Sequence, residues 1–232
     1  GDQLKKALAI TKRAGVPLLL DDAAGIPPIS NLRLYSQMGC DLYAFSGGKG
    51  LLGPQCSGLL LGRKDLIEAA LANTSPWEGA VCRPMKVGKE EIMGCLAAVE
   101  AWHKMDPDAL YRQWDARVKR IAKLVDTVPG VQTKIYVPED GNRYPTLRVT
   151  WDEDAWKFSA QDCAKKLSDG EPRIEVLTAS NPSGVLARLH KDFMRPGAEN
   201  HLEIISMSLQ PGEDLIVGKR LRAVLTAARK SA

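Results

Sequence analysis

Lys49 stands among glycines in the stretch FSGGKGLLGPQ, three residues after Ser46 and 28 residues after Asp21, which ends the apolar run PLLLD. An amine, a hydroxyl and a carboxylate in that order suit carbonyl chemistry. A lysine amine has an ordinary pKa near ~10.4 and attacks a carbonyl only when deprotonated, a loss that burial or neighbouring positive charge eases. Two other readings of Lys49 compete. A phosphate loop of the GxxxxGK[ST] kind fails, because Tyr43 stands at its first glycine and Gly50 at its hydroxyl position. A solvated lysine on a surface turn is the plain alternative, but the apolar run before the turn and LLGPQCSGLLLG after it give more buried context than such a turn needs.

The remaining reading is a lysine that forms a Schiff base with a cofactor. Pyridoxal 5'-phosphate takes an amine at its aldehyde carbon, a phosphate ligand, and a carboxylate that keeps its pyridine nitrogen protonated. Lys49, Ser46 and Asp21 supply these groups, with Asp22 as the reserve carboxylate. Asp22 has a plainer role open to it as a loop acid or helix cap.

These residues need elements to hold them. DQLKKALAITKRAG has helical apolar spacing and stops at Gly15, VPLLLDDAA reads as a buried strand, and SNLRLYSQMG as a short helix capped by Ser30 or Asn31. DLYAFSG is the next strand, and CSGLLLGRKDLIEAALA gives another strand and a helix from about Lys64. Alternating strand and helix predict an α/β layer with a largely parallel sheet. Ligands of such sheets gather at the carboxyl ends of strands, where Asp21 and Ser46 both fall.

From Lys89 to about Leu124 the spacing is helical throughout, broken at Pro107. Beyond Pro129 and Gly130, strand candidates VQTKIYV, TLRVTW, RIEVL, GVLARLH and HLEIISM interleave with helical SAQDCAKKLSDG and GEDLIVGKRLRAVLTAAR, an α+β module.

The bulk composition narrows the class. The chain has 232 residues, 44% hydrophobic and 26% charged, which excludes disordered and fibrous types. Lysine and arginine number 32 against 28 acids, a net charge of +4 without a basic block, so composition alone proposes no nucleic-acid partner. No apolar run reaches the ~18 residues of a membrane span, and the cytoplasm is the default location. Five cysteines without a CxxC pair read as free thiols, and three scattered histidines give no metal-site spacing. The five tryptophans read as packing residues, and His103 as an exposed or capping residue on a helix.

PLLLDDAAGIPP, GCDLYAFSGGKGLLGPQCSGLLLGRKDLI, CRPMKVGKEEIMGCLAAVEAW, LSDGEPRIEV and LQPGEDLIVGKRLRAVL together resemble the fold-type I pyridoxal-phosphate enzymes. The similarity is to the branch holding bacterial selenocysteine synthase (L-seryl-tRNA(Sec) selenium transferase) and the D-glucosaminate-6-phosphate ammonia-lyase type. FSGGKGLLGPQ is its most specific segment.

The resemblance implies that Lys49 holds the cofactor and moves protons at the substrate Cα, that Asp21, or Asp22 in reserve, pairs with the pyridine nitrogen, and that Ser46 binds the phosphate. Gly48, Gly50 and Gln55 would shape the loop. It implies a lyase or transferase acting at Cα and Cβ of an amino acid or amino sugar acid. The alternatives are an aminotransferase, racemase or desulfurase on the same cofactor, or a non-catalytic fragment or dimerising scaffold.

Arg83 and Lys86 of CRPMK either hold an anionic substrate or a partner subunit's cofactor phosphate, or form a solvated basic approach to the next helix. Cys82 stands where the family tends to have glycine. Arg173 is a further candidate for carboxylate recognition. The implied organisation is a partial cofactor-binding large domain over 1–105 and a small C-terminal domain over 106–232, in a homo-oligomer, dimeric or higher. A transfer-RNA partner is compatible with the branch but not favoured, since CRPMK looks closer to the ammonia-lyase type. The family's phosphate-binding helix and its ring-covering residue come before the aspartate strand, so the chain reads as part of a longer polypeptide.

Overall fold

The computed structural model describes residues 2–138, 143–178 and 201–231. They divide into two compact units, one of residues 2–107 with Arg143 and the other of residues 108–138, 144–178 and 201–231.

The first unit contains α1 (Asp2–Ala14), β1 (Leu19–Asp21), α2 (Asn31–Met38), β2 (Leu42–Ser46), β3 (Gly58–Gly62), α3 (Lys64–Ala72) and α4 (Lys89–Lys104). Its sheet has the order β1-β2-β3. β1 and β2 are parallel and joined through α2, the crossover that parallel pairing requires. β3 runs antiparallel to β2, because residues 47–57 return the chain directly without a helix. The α/β architecture is present, then, with a mixed sheet.

Tyr43 and Phe45 of β2 are buried on one face of this sheet, and Tyr35 of α2 packs on both, edge-on to Tyr43 at 5.6 Å and stacked on Phe45 at 6.0 Å. On the other face Leu19 and Asp21 are exposed. α2 ends at Gly39, whose φ of 92° lets its N–H return to the last carbonyls of the helix. Ser30 occupies the N-cap position without a side-chain capping bond, and Asn31 instead sends its amide to the Gly25 carbonyl at 2.6 Å.

The second unit holds most of α5 (Pro107–Val125), then β4 (Gln132–Tyr136), β5 (Thr146–Thr150), α6 (Glu153–Trp156), α7 (Ala160–Ser168), β6 (Leu177–Thr178), β7 (Leu202–Ile205) and α8 (Glu213–Ser231). The strands form an antiparallel sheet in the order β4-β5-β7-β6. Leu147, Val149, Leu202 and Ile204 join Val118, Ile121 and Val125 of α5, Cys163 and Leu167 of α7, and Leu221 and Leu225 of α8 in one core. α7 opens with a reciprocal capping box between Ser159 and Asp162.

One strand expectation changes. RIEVL contributes only Leu177 to a strand, because the Ile174 N–H bonds the Leu167 carbonyl and holds that segment on the end of α7. GVLARLH lies outside the described residues. Trp102, Trp114, Trp151 and Trp156 are buried as expected, but Trp77 is 58% exposed. His103 is exposed, all five cysteines are free, and no described helix is long and apolar enough to cross a membrane.

Candidate active site

The register of β1 on β2 pairs Asp21 with Ala44, so Asp21, Ala44 and Ser46 project from the same face at the carboxyl end of the sheet. Backbone bonds continue past the strands. The Asp22 N–H reaches the Ala44 carbonyl at 3.0 Å, and the Ser46 N–H reaches the Ala23 carbonyl at 3.3 Å. Asp21 is exposed, and its Oδ1 accepts the Ala23 N–H at 3.1 Å.

The neighbouring acid is engaged differently. The Tyr35 hydroxyl donates to Asp22 Oδ2, and a Cβ added at Gly25 would lie 1.7 Å from that oxygen. Burial, and then the bond to Asp22, push the Tyr35 hydroxyl above the usual phenol range, so it remains a protonated donor.

After Ser46 the chain enters a closed turn. The Gly47 N–H bonds the Ser57 carbonyl at 2.8 Å, the Gly53 N–H bonds the Gly47 carbonyl at 2.8 Å, and the Leu52 N–H bonds the Lys49 carbonyl at 2.9 Å. The Gln55 amide adds a bond to the Gly48 carbonyl at 3.0 Å. The turn rests on the segment that follows β1: a Cβ at Gly50 would fall 1.5 Å from the Ile26 carbonyl oxygen, a spacing only glycine permits. Leu51 is fully buried, and its carbonyl accepts the indole N–H of Trp102 at 3.0 Å. Lys49 is exposed on this turn and has no ion pair among the described residues.

Asp21, Ser46 and the Lys49 turn are therefore brought together. Arg83 and Lys86 lie on the loop between α3 and α4. Arg83 is half-buried and faces Glu78 at 3.7 Å, its Nε buried without a hydrogen-bond partner, while Lys86 is exposed. Cys82 on that loop pairs with Thr74 through an isolated bridge. Arg173 belongs to the second unit, where it is exposed and donates to Glu175 from Nε at 2.7 Å. No group of potential metal ligands occurs among the described residues. A cleft of about 790 Å³ in the first unit is lined by apolar side chains including Leu59, Leu61, Leu71 and Ile92, and by none of the candidate residues.

A model of a protein family, aminotransferase class-V, matches residues 2–134. The chain belongs to the aminotransferase class-V family. The cofactor of this family is pyridoxal 5'-phosphate. The class-V chain is 33% identical over 174 residues to 5'-C-glycyluridine monooxygenase-decarboxylase of Streptomyces sp, a match covering 75% of this chain and 41% of that protein. It is 29% identical over 159 residues to D-glucosaminate-6-phosphate ammonia lyase of Salmonella typhimurium (strain 14028s / SGSC 2262), covering 68% and 40%. It is 29% identical over 197 residues to L-seryl-tRNA(Sec) selenium transferase of Proteus mirabilis (strain HI4320), covering 85% and 37%. The solved structure of D-glucosaminate-6-phosphate ammonia-lyase superposes with a TM-score of 0.69 at 24% identity, over 97% of this chain and 53% of that one.

The resemblance read from FSGGKGLLGPQ is thus borne out, as is the fold class. The class-V chain spans about two-fifths of the length of these curated relatives. The residues present fit the family's cofactor: the turn carries an exposed amine, and the strand ends beside it carry an exposed carboxylate and a half-buried hydroxyl on one face. Sequence reasoning missed Tyr35 and Trp102. A tryptophan buried in an apolar helix face must still place its N–H, and that requirement was the available signal for Trp102.

Proposed function

We propose that this chain carries the lysine-bearing part of a pyridoxal-phosphate site that works at Cα and Cβ of an amino acid or amino sugar acid, as a lyase or transferase. The reading is carried by one observation: Asp21 and Ser46 share a face at adjoining strand ends, and the glycine turn with Lys49 packs on the segment following Asp21. When bound, pyridoxal phosphate supplies an aldehyde that condenses with amines and a protonated ring that takes up the electron pair of a broken Cα bond.

Lys49 Nζ would hold the aldehyde carbon, then take and return the proton at the substrate Cα once the substrate amine has displaced it. Asp21 would keep the proton on the pyridine nitrogen through an opposite charge. Asp21 is preferred over Asp22, whose Oδ2 is occupied by Tyr35. Ser46 would donate to the phosphate from the end of β2, and Gly48 would help shape the turn. Arg83 and Lys86 are proposed for an anionic substrate group or a partner subunit's phosphate, since guanidinium forks suit both. Arg173 is the least supported, because Glu175 already engages it. The first unit would be the cofactor-binding portion and the second the small C-terminal domain, in a cytoplasmic homo-oligomer. Trp77, Val81 and Met85, all largely exposed, are consistent with a second copy covering that loop.

A second reading has its own support. The relative at 33% identity is a monooxygenase-decarboxylase of a glycyluridine, which suggests Cα chemistry on an amino acid joined to a nucleoside. Both readings place the amine at Lys49. Mixing the chain with pyridoxal 5'-phosphate and reducing with borohydride should leave a phosphopyridoxyl adduct on Lys49, read by mass spectrometry, and Lys49→Ala should abolish it. Equal visible absorbance and equal trapping in the two proteins would refute the proposal and favour a non-catalytic fragment. Release of ammonia from an amino sugar acid, against decarboxylation of a glycyl nucleoside, separates the two substrate readings.

A further inference from the structure

We infer that Trp102, on α4, is a positioning residue for Lys49, acting through the carbonyl of Leu51. This rests on the reading of Lys49 as the amine that holds the cofactor. Leu52 has a φ of 62°, the left-handed region that a leucine occupies only at a steric cost. Such strain persists where the surroundings over-determine the backbone.

Here the determinant is one peptide plane. The carbonyl of Leu51 and the N–H of Leu52 belong to the same peptide group and point in opposite directions. The carbonyl accepts the Trp102 indole N–H at 3.0 Å, and the N–H donates to the carbonyl of Lys49 itself at 2.9 Å. Flipping that plane would bring Leu52 to a negative φ and relieve the strain, but it would break both bonds together. Trp102 is 3% exposed and Leu51 is fully buried, so water replaces neither partner of the broken bond. The indole, 51 residues away in sequence, therefore holds the plane that closes the turn on Lys49.

Trp102→Phe keeps an aromatic ring and removes the donor. Trp151→Phe is the control, since it removes a comparable buried indole bond, to the Phe158 carbonyl at 2.7 Å, in the second unit. Amide hydrogen exchange at Leu52 and Gly53 should quicken by about tenfold or more in Trp102→Phe, with β2 amides unchanged, and should not change in Trp151→Phe. Borohydride trapping of pyridoxal phosphate at Lys49 should slow by about tenfold, with a shifted pH profile. Leu52→Gly, which bears a positive φ freely, should restore much of both in the Trp102→Phe background.

Unchanged exchange at Leu52 and Gly53 in Trp102→Phe overturns the inference, as does failure of Leu52→Gly to rescue. If Trp102→Phe loses protection throughout β2, Leu52→Gly alone decides: slower exchange at residue 52 supports the strained plane, and no change overturns it. Quicker exchange with no trapping at Lys49 even in the unmodified chain would instead leave the lock standing and remove the cofactor reading beneath it.

Discussion

Replacing Gly50 by alanine drives a methyl group into the backbone of a neighbouring loop. The added Cβ would stand 1.5 Å from the Ile26 carbonyl oxygen and 2.5 Å from its carbon, where real Cβ contacts stay above 3.0 Å. A gap of at least about 1.5 Å must open, and because both sides are main chain, no side chain can swing aside. Two outcomes follow. If the turn holds its place, the first unit loses about 1–3 kcal/mol to overpacking, read as a lower urea midpoint. If the turn moves instead, Lys49 moves with it, and a displacement of that order costs about 10²-fold in a reaction that depends on alignment. Borohydride trapping of pyridoxal phosphate at Lys49 is the assay. We expect at least a tenfold slower rate, a reduced midpoint, or both. Gly39→Ala is the comparison: its φ is positive, whereas that of Gly50 is not, and no atom lies within 4 Å of the new Cβ, so it should cost stability through backbone strain alone and leave trapping unchanged. A Gly50→Ala protein with unchanged stability and trapping would show that the contact with Ile26 does not hold the turn.

Asp41 ties the start of β1 to the end of β3, accepting the Leu18 N–H at 2.8 Å and the Arg63 guanidinium at 2.8 Å. The backbone bond first, and then Arg63, hold its carboxyl below the usual range, so its contribution is complete above the unfolded value of ~3.9 and fades as the pH falls through the lower folded value. Asp41→Asn should therefore cost about 0.5–1 kcal/mol near neutrality, a figure kept small by the exposure of Arg63, and should flatten the acid limb of a stability–pH curve below about pH 4. The thiols should divide by burial. An aromatic disulfide reagent should label exposed Cys56 in the folded protein, whereas Cys163, fully buried and pushed up to about 12 by burial, should react only after denaturant is added. Rapid labelling of Cys163 in the folded state would contradict the packing of α7.

The longer helices were legible because each carried its own local signal, whereas the four-residue α6 was too short to show a periodicity and was not read. Gly15 ends α1, Pro107 begins α5, and Ser159 with Asp162 caps α7. The two strands that bear Asp21 and Ser46 were legible from apolar runs, and their adjacency from the rule that ligands meet at strand ends. The direction of β3 was harder to read, since a short apolar strand looks alike in either orientation and only the helix-free return through 47–57 decides it. Leu177 read as part of a five-residue strand because no sequence pattern reports that Ile174 is tied back to α7. The contacts that hold the Lys49 turn were out of reach for a similar reason. Gly50 against Ile26 and Trp102 on Leu51 join distant parts of the chain, and spacing along a sequence records neighbours on one element only.

The tandem acids that follow β1 look interchangeable on paper, yet they answer to different neighbours. Asp22 is committed to a phenol on α2 and sits where a side chain at Gly25 would strike it, while Asp21 opens to solvent on the sheet face it shares with Ser46. Neither acid is a spare for the other. If Asp21 faces the pyridine nitrogen as proposed, neutralising it would leave that role unfilled, because Asp22 could take it over only by giving up its bond from the Tyr35 hydroxyl and turning a strand end by one residue.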